Sequence, residues 1–313
     1  MSEKTTPRFH LPEATSCISL YVALPDVMKK HPEYFRGEIA SYFGCWPLIW
    51  NGGRVMFGPL SLERVKAQLD AYNSREIPYR LTFTNPFITE EHLDDKECNA
   101  VLDIADNGMN EVIVLSPVLE KYIRQTHPKM KITSSTCKCI KDIEGVKEEL
   151  KKDYSLVVLD YNFNDKFEEL EKLTPEERAR CEILSNAVCI PACPRRREHY
   201  DEIGKAQLRL TKKSHFETLN AEWYKKNGCN DWECPTQRIR LYDSVDSPLR
   251  LSPEDIYGKY SEMGFANFKL EGRGEFFVTL CEQAVNYLAR PEYRDRARLE
   301  VMTAAVQNIR ANY

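Results

Sequence analysis

The 313-residue chain contains no apolar stretch approaching the roughly 20 residues that cross a bilayer. Its first residues, Met1-Ser2-Glu3-Lys4-Thr5-Thr6-Pro7, lack the apolar block of a secretory signal. These absences lead us to expect a cytoplasmic protein with no membrane partner. There is also no strong charge of one sign: 44 Lys and Arg face 48 Asp and Glu, for a net charge of −4. No global field therefore attracts nucleic acid or anionic lipid, and any such partner must meet a local patch. Internal repeats and low-complexity tracts are missing, which excludes collagen and long coiled coils.

Cysteine, by contrast, is abundant, with 11 in the chain. In a reducing compartment clustered cysteines read as metal ligands or redox groups before disulfides. The hydrophobic pattern alternates short β-branched and aromatic runs with amphipathic stretches, and eight runs qualify as strands. They are Cys17 to Leu24, Pro47 to Asn51 (or Arg54 to Gly58), Tyr79 to Asn85, Glu111 to Ser116, Lys131 to Thr136, Ser155 to Asp160, Glu182 to Asn186 and Ala266 to Glu271. Helices are expected over Ser61 to Tyr72, Thr89 to Asp106, Ile140 to Lys152, Asp165 to Leu173 and Phe276 to Leu288, with Ser61, Thr89 and Thr174 at N-cap positions.

Repeated strand-helix alternation implies parallel strands joined by right-handed crossovers. Eight units, with no Gly-x-Gly-x-x-Gly turn after the first, favour an α/β fold of the (β/α)8 TIM-barrel type over an open doubly wound sheet. The reading is one barrel domain over residues 1–313, interrupted by a long segment from Ala187 to Phe265 between the seventh and eighth strands. Its roughly eighty residues exceed any ordinary connection, and long insertions at such an edge carry function.

A barrel site forms at the carboxyl ends of the strands. There the sequence places Asn51, Arg54, Asn85, Asn162, Asn186 and Lys269 as candidate substrate-binding groups, with Asp160, Glu271 and Arg273 as candidate catalytic ones. Each Asn or Ser among them could equally serve as a cap or turn residue. Cys189-Ile-Pro-Ala-Cys193 and Cys229-Asn-Asp-Trp-Glu-Cys234 supply two thiol pairs inside the insertion, enough for zinc or an iron-sulfur cluster. Four buried free thiols are the plain alternative. Cys137 and Cys139, in a Cys-x-Cys expected to be extended, and Cys45 and Cys181 are alternate ligands. No histidine pair stands at helical ligand spacing, and His199 reads chiefly as a solvated loop residue. Pro194 to Lys213 carries seven Lys or Arg against three acids, a face that solvates a helix or guides a phosphate-bearing substrate such as RNA.

Near the carboxyl end, Arg250-Leu-Ser-Pro-Glu-Asp-Ile-Tyr, then Met263-Gly-Phe-Ala-Asn-Phe-Lys-Leu-Glu-Gly-Arg273, then Tyr293-Arg294, resembles the collagenase-like peptidase family. The resemblance implies a barrel binding a four-iron four-sulfur (4Fe-4S) cluster through four cysteines, in relatives that carry out oxygen-independent hydroxylation of a quinone precursor or an RNA base. By position it assigns Cys189, Cys193 and either Cys229 or Cys234 as ligands, and matches Lys269, Glu271 and Arg273 to the strand-end motif. The family's His-Gly element before its first cysteine is replaced here by Ser185-Asn186-Ala187-Val188. The leading expectation is an iron-sulfur barrel enzyme acting on a polar small molecule or nucleobase, served by an electron-transfer partner. The alternatives are a peptidase-like hydrolase, for which neither a Gly-x-Ser-x-Gly elbow nor a His-Glu-x-x-His helix is present, and a zinc-stabilised RNA-binding module.

Overall fold

A computed structural model describes residues 5–211, 246–272 and 274–311. Eight parallel strands close into a barrel in chain order. They are β1 (Arg8–Leu11), β2 (Glu38–Gly44), β3 (Tyr79–Phe83), β4 (Glu111–Val114), β5 (Lys131–Ser134), β6 (Val157–Val158), β7 (Cys181–Leu184) and β8 (Asn267–Lys269). The last pairs with the first, Phe9 lying opposite Phe268. The TIM-like barrel read from the sequence is therefore the fold.

Two of the eight expected strands are wrong. Cys17 to Leu24 falls mainly in helix α1 (Ile18–Lys30), whose buried residues Leu20, Tyr21, Ala23, Leu24 and Val27 follow helical rather than strand spacing. The true β1 has only four residues, and its buried His10 obscures the apolar pattern. Pro47 to Asn51 and Arg54 to Gly58 are loop, while β2 lies upstream as Glu38–Gly44.

The outer helices include α2 (Leu62–Asn73), α3 (Lys96–Ala105), α4 (Pro117–Thr126), α5 (Ile143–Leu150), α6 (Phe167–Leu170) and α7 (Pro175–Ala179). Their starts are set by side-chain caps. Ser61 accepts from the Arg64 N–H, Asp95 from Cys98, Ser116 from Leu119 and Asp142 from Gly145. Thr174 and Glu177 form a reciprocal capping box, with Pro175 in the first turn. Helix α8 (Arg196–Leu210) follows β7, and α9 (Phe277–Leu288) and α10 (Arg294–Ala311) complete the shell. After residue 245 the chain returns through an antiparallel bridge between Asn186 and Arg250, and Ser252 caps the turn that starts at Pro253.

Strand alternation sorts the barrel wall. Phe9, Leu81, Phe83, Val112, Val114, Ile132, Ile183 and Phe268 belong to one apolar core with Leu69, Val101, Leu102, Leu119, Ile123, Val146 and Leu280 of the helices. The alternate positions, including His10, Arg80, Thr133, Glu182 and Lys269, turn inward and make the barrel interior polar.

Candidate active site

Helix α8 roofs the carboxyl ends of the strands. Its first turn is pinned by Arg196, which pairs with Asp160, donates to Thr136 Oγ1 at 3.0 Å and to Tyr200 Oη at 3.1 Å, and lies 3.8 Å above the Tyr161 ring. Stacking plus a charge-assisted pair suits the planar guanidinium. Its far end is pinned by Gln207, which donates to the carbonyls of Leu48 and Met56 and accepts from the Met56 N–H at 2.8 Å. Midway, Gly204 brings the helix backbone against Asn85: a Cβ there would stand 2.7 Å from Asn85 Oδ1. Glycine is required for that approach.

Between roof and strand ends lies a cavity of about 150 Å³, lined among others by Cys137, Tyr161, Cys189, Cys193, His199, Lys269 and Glu271. Arg54, Arg195 and Arg196 also line it, so the charged groups on its otherwise largely apolar wall are mostly cationic. Glu271 accepts the Val188 N–H at 3.0 Å, and its backbone is clamped by Asn186 through a 2.6 Å bond to Asn186 Oδ1 and a 3.2 Å bond from Asn186 Nδ2. His199 is half-buried on α8, and burial reinforced by Arg54 lowers its pKa, favouring the neutral imidazole. The sequence had it solvated in a loop; it instead faces the cavity because α8 begins three residues earlier.

The sequence candidates thus divide. Arg54, Lys269 and Glu271 reach the cavity. Asn51, Asn85, Asn162 and Asn186 do not; their amides support backbone. Asn51 donates to the Arg54 carbonyl and Asn85 to the carbonyls of Ile49 and Gly204. Asn162 joins Asp160 to the Ala192 N–H. Asp160 is the counter-ion of Arg196, one step behind the wall. Arg273, Cys229 and Cys234 lie outside the described residues. From the sequence, Arg196 reads only as one of the basic residues of Pro194 to Lys213 and Tyr161 only as part of a polar strand end, while Tyr200 goes unnoticed; an Arg and a Tyr four apart on one helix face is the available signal.

Three thiols, Cys137, Cys189 and Cys193, open onto the cavity. Burial pushes the Cys189 thiol up. Cys139 does not line the cavity. Cys137 sits in a 3-10 turn started by Ser135, whose hydroxyl accepts the Cys137 N–H, and Cys139 takes a left-handed conformation with φ 53°. The pair is therefore not extended, and its thiols do not share one side. Cys181 heads β7 at the opposite end of the barrel, and burial pushes its thiol up to about 12. Cys45 is packed in the apolar core. Among the described residues no three His, Cys, Asp or Glu side chains are grouped to hold a metal, and no helix is long and apolar enough to cross a membrane.

No family model matches the sequence. Over 239 residues the chain is 19% identical to an uncharacterized protease of Methanocaldococcus jannaschii, an alignment covering 74% of this chain and 66% of that protein. The chain thus spans just under two thirds of that relative's length. The solved structure of a U32 peptidase matches with a TM-score of 0.50 at 14% identity, covering 87% of this chain and 95% of that one. In fold, the chain is similar to a U32 peptidase, of the collagenase-like family that its carboxyl-terminal motif resembles.

Proposed function

We propose that the chain is a peptidase-like hydrolase working in the cavity beneath α8. The observation that carries this reading is that one carboxylate, Glu271, and one ammonium, Lys269, line the same small cavity beside the half-buried His199. In this reading Glu271 takes a proton from water, which attacks an amide carbonyl. Lys269, at the floor of the same cavity, holds the peptide in place beside that carbonyl. The proton that Glu271 has taken up passes by way of the neutral His199 to the leaving amine, which restores the carboxylate. The names of the two relatives, one a protease and one a U32 peptidase, support the same class. The test is a peptide library incubated with the protein and searched by mass spectrometry for new termini. Glu271→Gln is expected to lower turnover about 10²- to 10⁴-fold, the range of general acid–base catalysis, while peptides still bind. A wild-type protein that produces no new termini, with or without added metal, sinks the reading.

One observation favours a second reading: three thiols share that cavity. Cys189 and Cys193, with Cys229 and Cys234, would hold a 4Fe-4S cluster, which when bound supplies one-electron redox chemistry for a polar small molecule or nucleobase. The described residues provide half of that set. Zinc would take the same four thiolates and make the insertion structural. Anaerobic purification with iron, sulfide and zinc analysis separates these outcomes. Iron and sulfide lost together in Cys189→Ala would establish the cluster, and a metal content unchanged by that substitution would remove it.

A further inference from the structure

Beneath the cavity, six strands direct polar side chains into the barrel: His10, Ser41, Arg80, Thr133, Glu182 and Lys269, all buried. Barrel interiors are ordinarily filled by branched apolar residues. Here Arg80 donates to Glu182 Oε2 at 2.6 Å, to Thr133 Oγ1 at 2.7 Å and to His10 Nδ1 at 2.9 Å, and its Nε faces Glu111 at 3.6 Å. A guanidinium can only donate, so His10 Nδ1 accepts and the ring carries its proton on Nε2, 3.5 Å from Glu182 Oε2. Burial lowers the His10 pKa to about 3, so the ring is neutral. Burial alone would raise the pKa of Glu182, yet Arg80, His10 and Lys269 hold it well below the carboxylate range, and it remains an anion. Its other oxygen, Oε1, lies 3.2 Å from Lys269 Nζ, and that ammonium sits 3.8 Å above the Phe43 ring.

We propose that this buried column presents Lys269 as a fixed cation at the cavity floor, where it binds an anionic group, carboxylate or phosphate, of the substrate. Arg80 and Glu182 are positioning residues that act through Lys269 and do not meet the substrate. The inference rests on the cavity being the reaction site. Stability alone gives little reason for the column, because well-packed apolar residues can replace a buried ion pair without loss. What the charges achieve is a split of labour on one carboxylate: Arg80 holds one oxygen and Lys269 the other. The other charged or titratable groups around the ammonium are Arg80 and the neutral His10 behind Glu182, Glu271 two residues along its own chain, and Arg54, Arg195, Arg196 and His199 on the cavity wall.

Competitive acetylation of the full chain over a pH series, with Lys269 modification read by mass spectrometry, tests the proposal without needing turnover. Its failure is thus separable from failure of the hydrolase reading. In the wild type the Lys269 labelling midpoint is expected at or above that of surface lysines. Inorganic phosphate or an N-acetylated dipeptide, added separately, should slow the labelling, and the one that protects identifies the anion. Glu182→Gln should raise Lys269 labelling near neutral pH about tenfold, as a fall of about one pK unit requires, and Glu182→Asp should restore most of the wild-type profile. A wild-type midpoint below that of surface lysines, protection by neither anion, or a folded Glu182→Gln protein with an unchanged midpoint overturns it. If Glu182→Gln does not fold, the wild-type midpoint and the protection experiment decide.

Discussion

The two surfaces of the barrel wall are built from opposite chemistry. Outward, Leu81, Ile132, Ile183 and Phe268 meet the helices in a dry apolar layer; inward, from neighbouring positions on the same strands, Arg80, Thr133, Glu182 and Lys269 form a hydrogen-bonded ionic layer. The outer layer makes the fold, because apolar burial is non-directional and scales with area. The inner layer is directional and unforgiving, and it leads to the cavity floor.

The largest expected effect comes from breaking the inner layer on one side. Arg80→Ala leaves Glu182 buried with less compensation and should cost about 3–5 kcal/mol, measured by denaturant unfolding. The triple replacement Arg80→Leu, Glu182→Leu, Lys269→Met should cost far less in the same unfolding measurement, because no charge is left buried without its partner. If the triple variant is as unstable as Arg80→Ala, the inner layer is structural and the contrast fails.

Next comes the outer layer. Leu102→Ala removes a fully buried side chain from α3 and should cost about 2–5 kcal/mol with the Lys269 labelling midpoint unchanged. A shifted midpoint would show that the layers are coupled.

The outer layer was also the legible one. Period-2 runs such as Glu111 to Ser116 and Lys131 to Thr136 contained β4 and β5, and Ser61 and Thr174 stood at real caps. The misses have one cause: an inward polar residue breaks the apolar pattern of a strand. His10 hid the four-residue β1, while the apolar face of α1 imitated a strand. In the site, Lys269 and Glu271 were legible from a motif at a strand end. Arg80 and Glu182 were not, since a lone Arg or Glu in a strand looks solvent-facing until the barrel closes around it. The amides were over-read: Asn51 and Asn85 stand where a ligand contact would, but they fasten loops to the roof.

A smaller effect is set by pH. The unfolded chain protonates His10 near its ordinary 6.5, whereas the folded chain does so only near 3. Between these values the unfolded state binds more protons, so stability falls as pH falls through this window, by at most about 1.4 kcal/mol per pH unit from this group. His10→Gln should flatten that part of the stability-pH curve. Glu149, whose pKa is lowered to about 2 despite burial by Lys138, Lys152 and Ser134, adds stability present above its ordinary 4.5 and lost as pH falls toward 2. The loss remaining in His10→Gln should therefore lie at the acid end; a curve unchanged by the substitution would mean that the ring is not held neutral by the inner layer.

The smallest effect belongs to polar groups outside both layers. Thr174 caps α7, the five-residue helix that feeds into β7, and its reciprocal bonds with Glu177 are solvent-exposed. Thr174→Ala removes one cap acceptor and should cost about 1 kcal/mol. Because β7 carries Glu182, this variant is a sensitive control. If local fraying at the entry to β7 reached the barrel interior, the Lys269 labelling midpoint would move with it. An unchanged midpoint at reduced stability is expected, since Glu182 is held by Arg80 and Lys269 across the barrel rather than by the turn that precedes its strand.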